Sequence, residues 1–128
     1  MGNGTSIGRV RGLGAAHSGT HHWLVQRYLS IGSLLLTVWL VTSVLMLPNL
    51  EYGTVREWLV KPVPGVLLAL FVLINIWHAR LGLQEVVEDY VHGHANKFAV
   101  LALLNFVAFA SIAFAAFCIV RLALVGGA

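Results

Sequence analysis

His78 is the side chain that most needs a chemical reason. It follows the apolar run Val66 to Trp77, inside a stretch long enough to cross a bilayer. An ionisable group at that depth is costly unless it is neutral, paired or bound to a metal. Two readings stand on the residues alone. One is a neutral imidazole hydrogen-bonded to another helix. The other is an axial ligand to haem iron, since haem is a large apolar plate that fits between helices. A helix advances about 100° per residue, so Gly82 lies only about 40° round from His78. A glycine there lets a flat macrocycle approach the backbone, or equally another helix. Glu85 and Asp89 follow near the same face, seven and eleven residues on. Eleven helical residues rise about 16 Å. One stripe thus runs from a mid-span imidazole to carboxylates near the membrane surface. That layout suits a redox centre with a proton-coupled site beside it. Glu88 reads as part of a solvated helix end. Arg80, about 200° from His78, is placed to snorkel or to pair with a partner chain.

The elements that carry these residues follow from composition. Of 128 residues, 59% are hydrophobic and 10% charged, against roughly 45–50% and about 25% in soluble domains. With a mean hydropathy of +0.85, the bilayer is the expected solvent. Three stretches, about 28–47, 63–83 and 98–120, are long and apolar enough to span, given that about 20 residues cross the hydrocarbon core. They read as helices, because lipid leaves every backbone polar group to be satisfied internally and the strand alternation of a barrel is absent. The expectation is an all-α integral membrane protein with three transmembrane helices. Its anchor domain covers residues 23–125, behind a Gly-rich segment of residues 1–22 that lacks the apolar core of a signal peptide. The single cysteine, Cys118, rules out an internal disulfide and a cysteine-built zinc or iron–sulfur cage. The net charge of +3 reads as topology information and not as nucleic-acid binding.

Arg9, Arg11 and Arg27 flank the first span, against Arg56 and Lys61 in the first loop. Counting basic residues places the N-terminus in the cytoplasm, and residues 84–97 return to that side. Tyr52 and Trp58 suit the opposite headgroup layer. A short interfacial helix is expected from Thr54 to Val60, with Thr54 as cap and Glu57 at the capping-box spacing. In the third span, Ser111, Ala113, Ala115 and Ala116 suit close packing, and Asn105 suits a bond to another helix.

His78, Gly82, Asp89 and Tyr90 also stand at the spacing H-x3-G-x6-D-Y. This resembles the signature of the hydrophobic membrane anchor subunit of succinate dehydrogenase, respiratory complex II. Val91, His92 and Gly93 continue the resemblance to mitochondrial and alphaproteobacterial members, as does the segment Ser18 to Arg27 with His21, His22 and Trp23. The resemblance covers nearly the whole chain. It implies half of a heterodimeric helix bundle, completed by a cytochrome b-type membrane subunit. The pair would carry an iron–sulfur subunit and a flavoprotein subunit in a bacterial inner membrane or a mitochondrial one. It further implies haem b, shared with the cytochrome b-type subunit, and ubiquinone as bound substrate. His78 matches the axial haem ligand and Tyr90 the tyrosine that hydrogen-bonds a quinone carbonyl. Asp89 matches the acidic neighbour supporting that site. Arg27 matches an arginine near the haem propionates, with His21 a weaker match. Glu85 stands where some relatives carry an uncharged amide, so a proton-relay role for it rests on the stripe alone.

The chain has neither a flavin fingerprint nor cluster cysteines, so by itself it would not oxidise succinate. Rival readings are the anchor of a quinol–fumarate reductase, a cofactor-free structural subunit, and a small proton-translocating protein using His78, Glu85 and Asp89 as a relay.

Overall fold

A computed structural model describes residues 19–126. The Gly-rich stretch with Arg9 and Arg11 lies outside them. Four helices make up the described chain: α1 (Gly19–Leu45), α2 (Tyr52–Val60), α3 (Pro62–Tyr90) and α4 (His94–Gly126). The first, third and fourth are 27, 29 and 33 residues long. Each exceeds the roughly 20 residues that cross a bilayer core. The three apolar spans expected from hydropathy are therefore present, as parts of longer helices.

The ends are set by local chemistry. Pro48 disfavours helical geometry at Leu47, and the last turn tightens as Leu47 N–H bonds the Val44 carbonyl at 3.2 Å. The side-chain oxygen of Asn49 then accepts the Glu51 N–H at 3.2 Å, forming a local turn that leads into α2. The short helix therefore starts at Tyr52, with Glu51 as N-cap and no side-chain cap bond. Thr54 lies inside its first turn and does not cap it, which corrects the expected boundary. Lys61 is extended, at φ −64° and ψ 141°, as a residue before proline prefers. Pro62 then opens α3 at a position where a missing N–H costs nothing. Gly65 permits this sharp corner, because a Cβ there would sit 3.0 Å from the Leu59 carbonyl oxygen.

α3 is the central helix, with α1 and α4 packed on different sides of it and α2 lying across the ends of α3 and α4. Polar contacts fix the registers. Ser33 donates to Asn75 at 2.8 Å between α1 and α3. Arg80 Nε donates to Asn105 Oδ1 at 2.6 Å between α3 and α4. Arg80 also lies over the Trp77 ring at 4.7 Å, and Trp77 meets Phe109 edge-on at 6.1 Å. The expected interhelical role of Asn105 is thus met, and its partner is Arg80. That arginine is held within its own chain and is not left to snorkel. Trp39 and Trp58 stack at 5.8 Å, tying α2 to α1. Ser30, Thr37 and Thr42 turn their hydroxyls back onto carbonyls four residues earlier, which hides them from lipid.

Very little is enclosed. Among the described residues only Leu81 and Ala108 are buried, at 5% and 6% exposure. Leu34, Leu35, Phe106 and Phe114 all remain open. Such a row of helices has no interior of its own and needs lipid or another chain to cover it.

Candidate functional site

The C-terminal half of α3 carries the candidate residues. His78 is half-buried on that helix. Its Nδ1 is enclosed and has no hydrogen-bond partner. Four residues on, a Cβ built on Gly82 would meet nothing within 4 Å. An imidazole whose Nδ1 has no hydrogen-bond partner thus stands one turn from open space, where a flat group could approach. Among the described residues no three His, Cys, Asp or Glu side chains are grouped to hold a metal ion. A haem would need only one ligand from this chain, so His78 alone fits that group.

Further along, Glu85 Oε1 lies 3.3 Å from His22 Nε2 of α1. Gln26, one turn after His22, carries a buried Oε1 with no partner. α1 therefore presents a histidine and an amide to the α3 stripe, and both are additions to the residues picked from the sequence. The readable signal was a polar arc on α1. His22, Gln26, Ser30, Ser33 and Thr37 fall within about 80° of one another on a helical projection. His21, singled out in the sequence, is instead exposed. Arg27 is also exposed, with its guanidinium 5.2 Å from the Trp23 ring centroid. The two residues lie in the first turns of α1, ahead of the apolar part of the span.

Asp89 and Tyr90 form the last turn of α3, and both are exposed. The helix runs seven residues beyond the apolar stretch that ends at Leu83. It thus carries this pair beyond the apolar stretch on a helical stalk. Lys97 Nζ donates to the Glu88 carbonyl at 2.9 Å, satisfying one of the last carbonyls of α3 and complementing the helix dipole. The Glu88 carboxylate accepts from Gln84 at 2.8 Å, which agrees with its reading as a surface residue. The chain of α3 groups is therefore a half-buried imidazole, an open glycine, a carboxylate tied to α1, and an exposed Asp–Tyr pair. Such a surface can supply one metal ligand and one hydroxyl donor, each to a group whose other side is covered elsewhere.

Residues 1–117 match the succinate dehydrogenase/fumarate reductase transmembrane subunit family. The chain is 35% identical over 100 residues to the succinate dehydrogenase hydrophobic membrane anchor subunit of Rickettsia conorii, covering 77% of this chain and 79% of that one. It is 31% identical over 120 residues to the subunit of the same name from Paracoccus denitrificans, covering 90% and 88%. A succinate dehydrogenase membrane anchor subunit of Reclinomonas americana is 30% identical over 94 residues, covering 71% and 78%. The chain belongs to the succinate dehydrogenase/fumarate reductase transmembrane subunit family, and is a multi-pass membrane protein.

Proposed function

We propose that this chain is the membrane anchor of a succinate dehydrogenase that reduces ubiquinone. It sits in a bacterial inner membrane with its N-terminus in the cytoplasm. In this reading it pairs with a cytochrome b-type subunit and carries the iron–sulfur and flavoprotein subunits. His78 would hold the iron of a haem b shared with that membrane partner. The haem, when bound, supplies a one-electron redox centre inside the bilayer. Tyr90 donates its hydroxyl to a ubiquinone carbonyl oxygen, lowering the energy of negative charge that builds there during reduction. Asp89 beside it supports the site and can pass protons taken from water. Arg27 is the residue we assign to the haem propionates, on the resemblance alone.

The observation that carries the proposal is the imidazole of His78. Its Nδ1 is enclosed and has no hydrogen-bond partner, and the ring stands one turn from the open face at Gly82. A structural histidine would be expected to hydrogen-bond another helix. The test is the optical spectrum of the purified complex. His78→Leu removes one iron bond and should abolish or markedly broaden the low-spin haem b bands. An unchanged low-spin spectrum in that variant would remove His78 from the iron.

A further inference from the structure

The end of the bundle opposite Tyr90 carries a basic cavity that the succinate dehydrogenase reading does not use. It lies between α2 and α4, measures about 280 Å³, and is lined by Tyr52, Arg56, Cys118, Arg121, Leu122 and Val125. Two arginines therefore border one small space, and among the described residues no Asp or Glu lines it. Glu57 lines an adjoining cavity with Lys61, and the two cavities share Tyr52 and Arg56. Arg56 is held in place, since its Nη2 donates to the Val125 carbonyl at 3.1 Å. That bond uses one of five guanidinium donors and leaves the rest for a ligand. Two like charges sharing a space at the edge of a low-dielectric slab repel unless an anion joins them.

The neighbouring space is mainly apolar. A second cavity, of about 220 Å³, shares the Leu122 wall with the first and lies between α3, α4 and the end of α2, with Lys61 also on its wall. A third, of about 80 Å³, shares Ala69 and Ile119 with the second and is lined by apolar side chains alone. The sequence of walls is therefore basic at the helix ends and apolar towards mid-span. A free anion would use only the first cavity. An amphiphile with an anionic head and an acyl tail would use all three.

We propose that this groove binds an anionic phospholipid, with its phosphate between Arg56 and Arg121 and an acyl chain along the α3–α4 cavities. Guanidinium groups bind phosphate through paired N–H donors, and the Tyr52 hydroxyl on the same wall is a further donor. The bilayer supplies such a phosphate at the depth where the helices end.

Cys118, on the wall of the basic cavity, serves as a built-in reporter. The purified complex is placed in bilayer discs of phosphatidylcholine, with or without phosphatidylglycerol. Alkylation by N-ethylmaleimide is then followed on the peptide that contains Cys118. Phosphatidylglycerol should slow it about tenfold, and replacing Arg56 or Arg121 by Gln should weaken that protection by about the same factor. Arg56→Lys and Arg121→Lys keep the charge and should retain part of it. If the Gln variants fail to assemble, the wild-type comparison between the two bilayers still decides. No slowing in wild type overturns the proposal. Equal slowing in wild type and an assembled Gln variant does so too, because it reports surface potential alone. Protection by inorganic phosphate in phosphatidylcholine discs would assign the site to a free anion. A thiol that stays unreactive in phosphatidylcholine alone would assign the groove to a partner chain.

Discussion

At the scale of single residues, the contrast between His78 and Tyr90 matters most. His78 is half-buried and Tyr90 exposed, although one helix carries both. They lie twelve residues apart, or about 18 Å along the axis, and about 120° round it. A defect at one need not disturb the other. Tyr90→Phe keeps the ring and removes only the hydroxyl. A hydrogen bond to an oxygen gaining charge contributes roughly 1.5–3 kcal/mol, and exposure of the site argues for the lower end. Ubiquinone reduction should fall about tenfold, since 1.4 kcal/mol is a factor of ten. Succinate oxidation by a soluble dye that takes electrons upstream should stay near the wild-type rate. Equal loss of both activities would indicate misassembly, and full ubiquinone activity would take Tyr90 out of the site. Glu85→Gln makes a different point. Its partner His22 is 39% exposed and Glu85 itself 52%, and such pairs contribute only about 0–1 kcal/mol. The haem spectrum and the assembly of this variant should match wild type, whereas a lost haem would make the His22–Glu85 contact part of the haem pocket.

At the scale of helices, the polar contacts between spans hold the registers. Lipid tails are as apolar as leucine, so burial gives little drive for one span to find another. The part-buried Arg80–Asn105 bond and the Trp77–Phe109 contact therefore have an outsized role in placing α4 against α3. Arg80→Leu leaves the Asn105 acceptor unpaired and should cost about 1–3 kcal/mol. The reading is a lower midpoint for thermal dissociation of the complex, and a midpoint equal to wild type would show that the bond carries no weight. The sequence showed Arg80 and Asn105 separately as polar residues in apolar spans. Their pairing was not legible, because it depends on which face α3 turns to α4. The same limit explains His22. Adjacent residues on a helix point about 100° apart, so choosing between His21 and His22 requires the rotation of α1. By contrast, the stripe from His78 to Asp89 lies on one helix, where the period alone sets the spacing. The three spans were equally legible from hydropathy. Their ends were not, since hydropathy marks the apolar stretch, while good helix formers such as Gln84, Glu85 and Glu88 carry α3 on to Tyr90.

At the scale of the whole molecule, the missing interior governs behaviour. Leu81 and Ala108 are the only buried side chains among the described residues. α1 and α4 each pack on α3 and not on each other. His78 keeps an enclosed nitrogen without a partner, and Gln26 an enclosed oxygen likewise. An unpaired buried polar group costs about 1–3 kcal/mol, so the isolated chain carries two such penalties within a fold that encloses little. Binding only to the folded form stabilises it by mass action. A second helical subunit bound to the open faces of the folded chain would offset both penalties. Synthesis of this chain without the other subunits should therefore give protein that is degraded in cells and polydisperse in mild detergent. Coexpression with the cytochrome b-type subunit should restore its lifetime and its monodispersity, before either soluble subunit is added. Pulse-chase labelling of the chain, with and without that subunit, measures the first effect, and size-exclusion chromatography the second. A long-lived, monodisperse chain on its own would mean that lipid alone covers the open faces of α3, and the requirement for a covering subunit would fall.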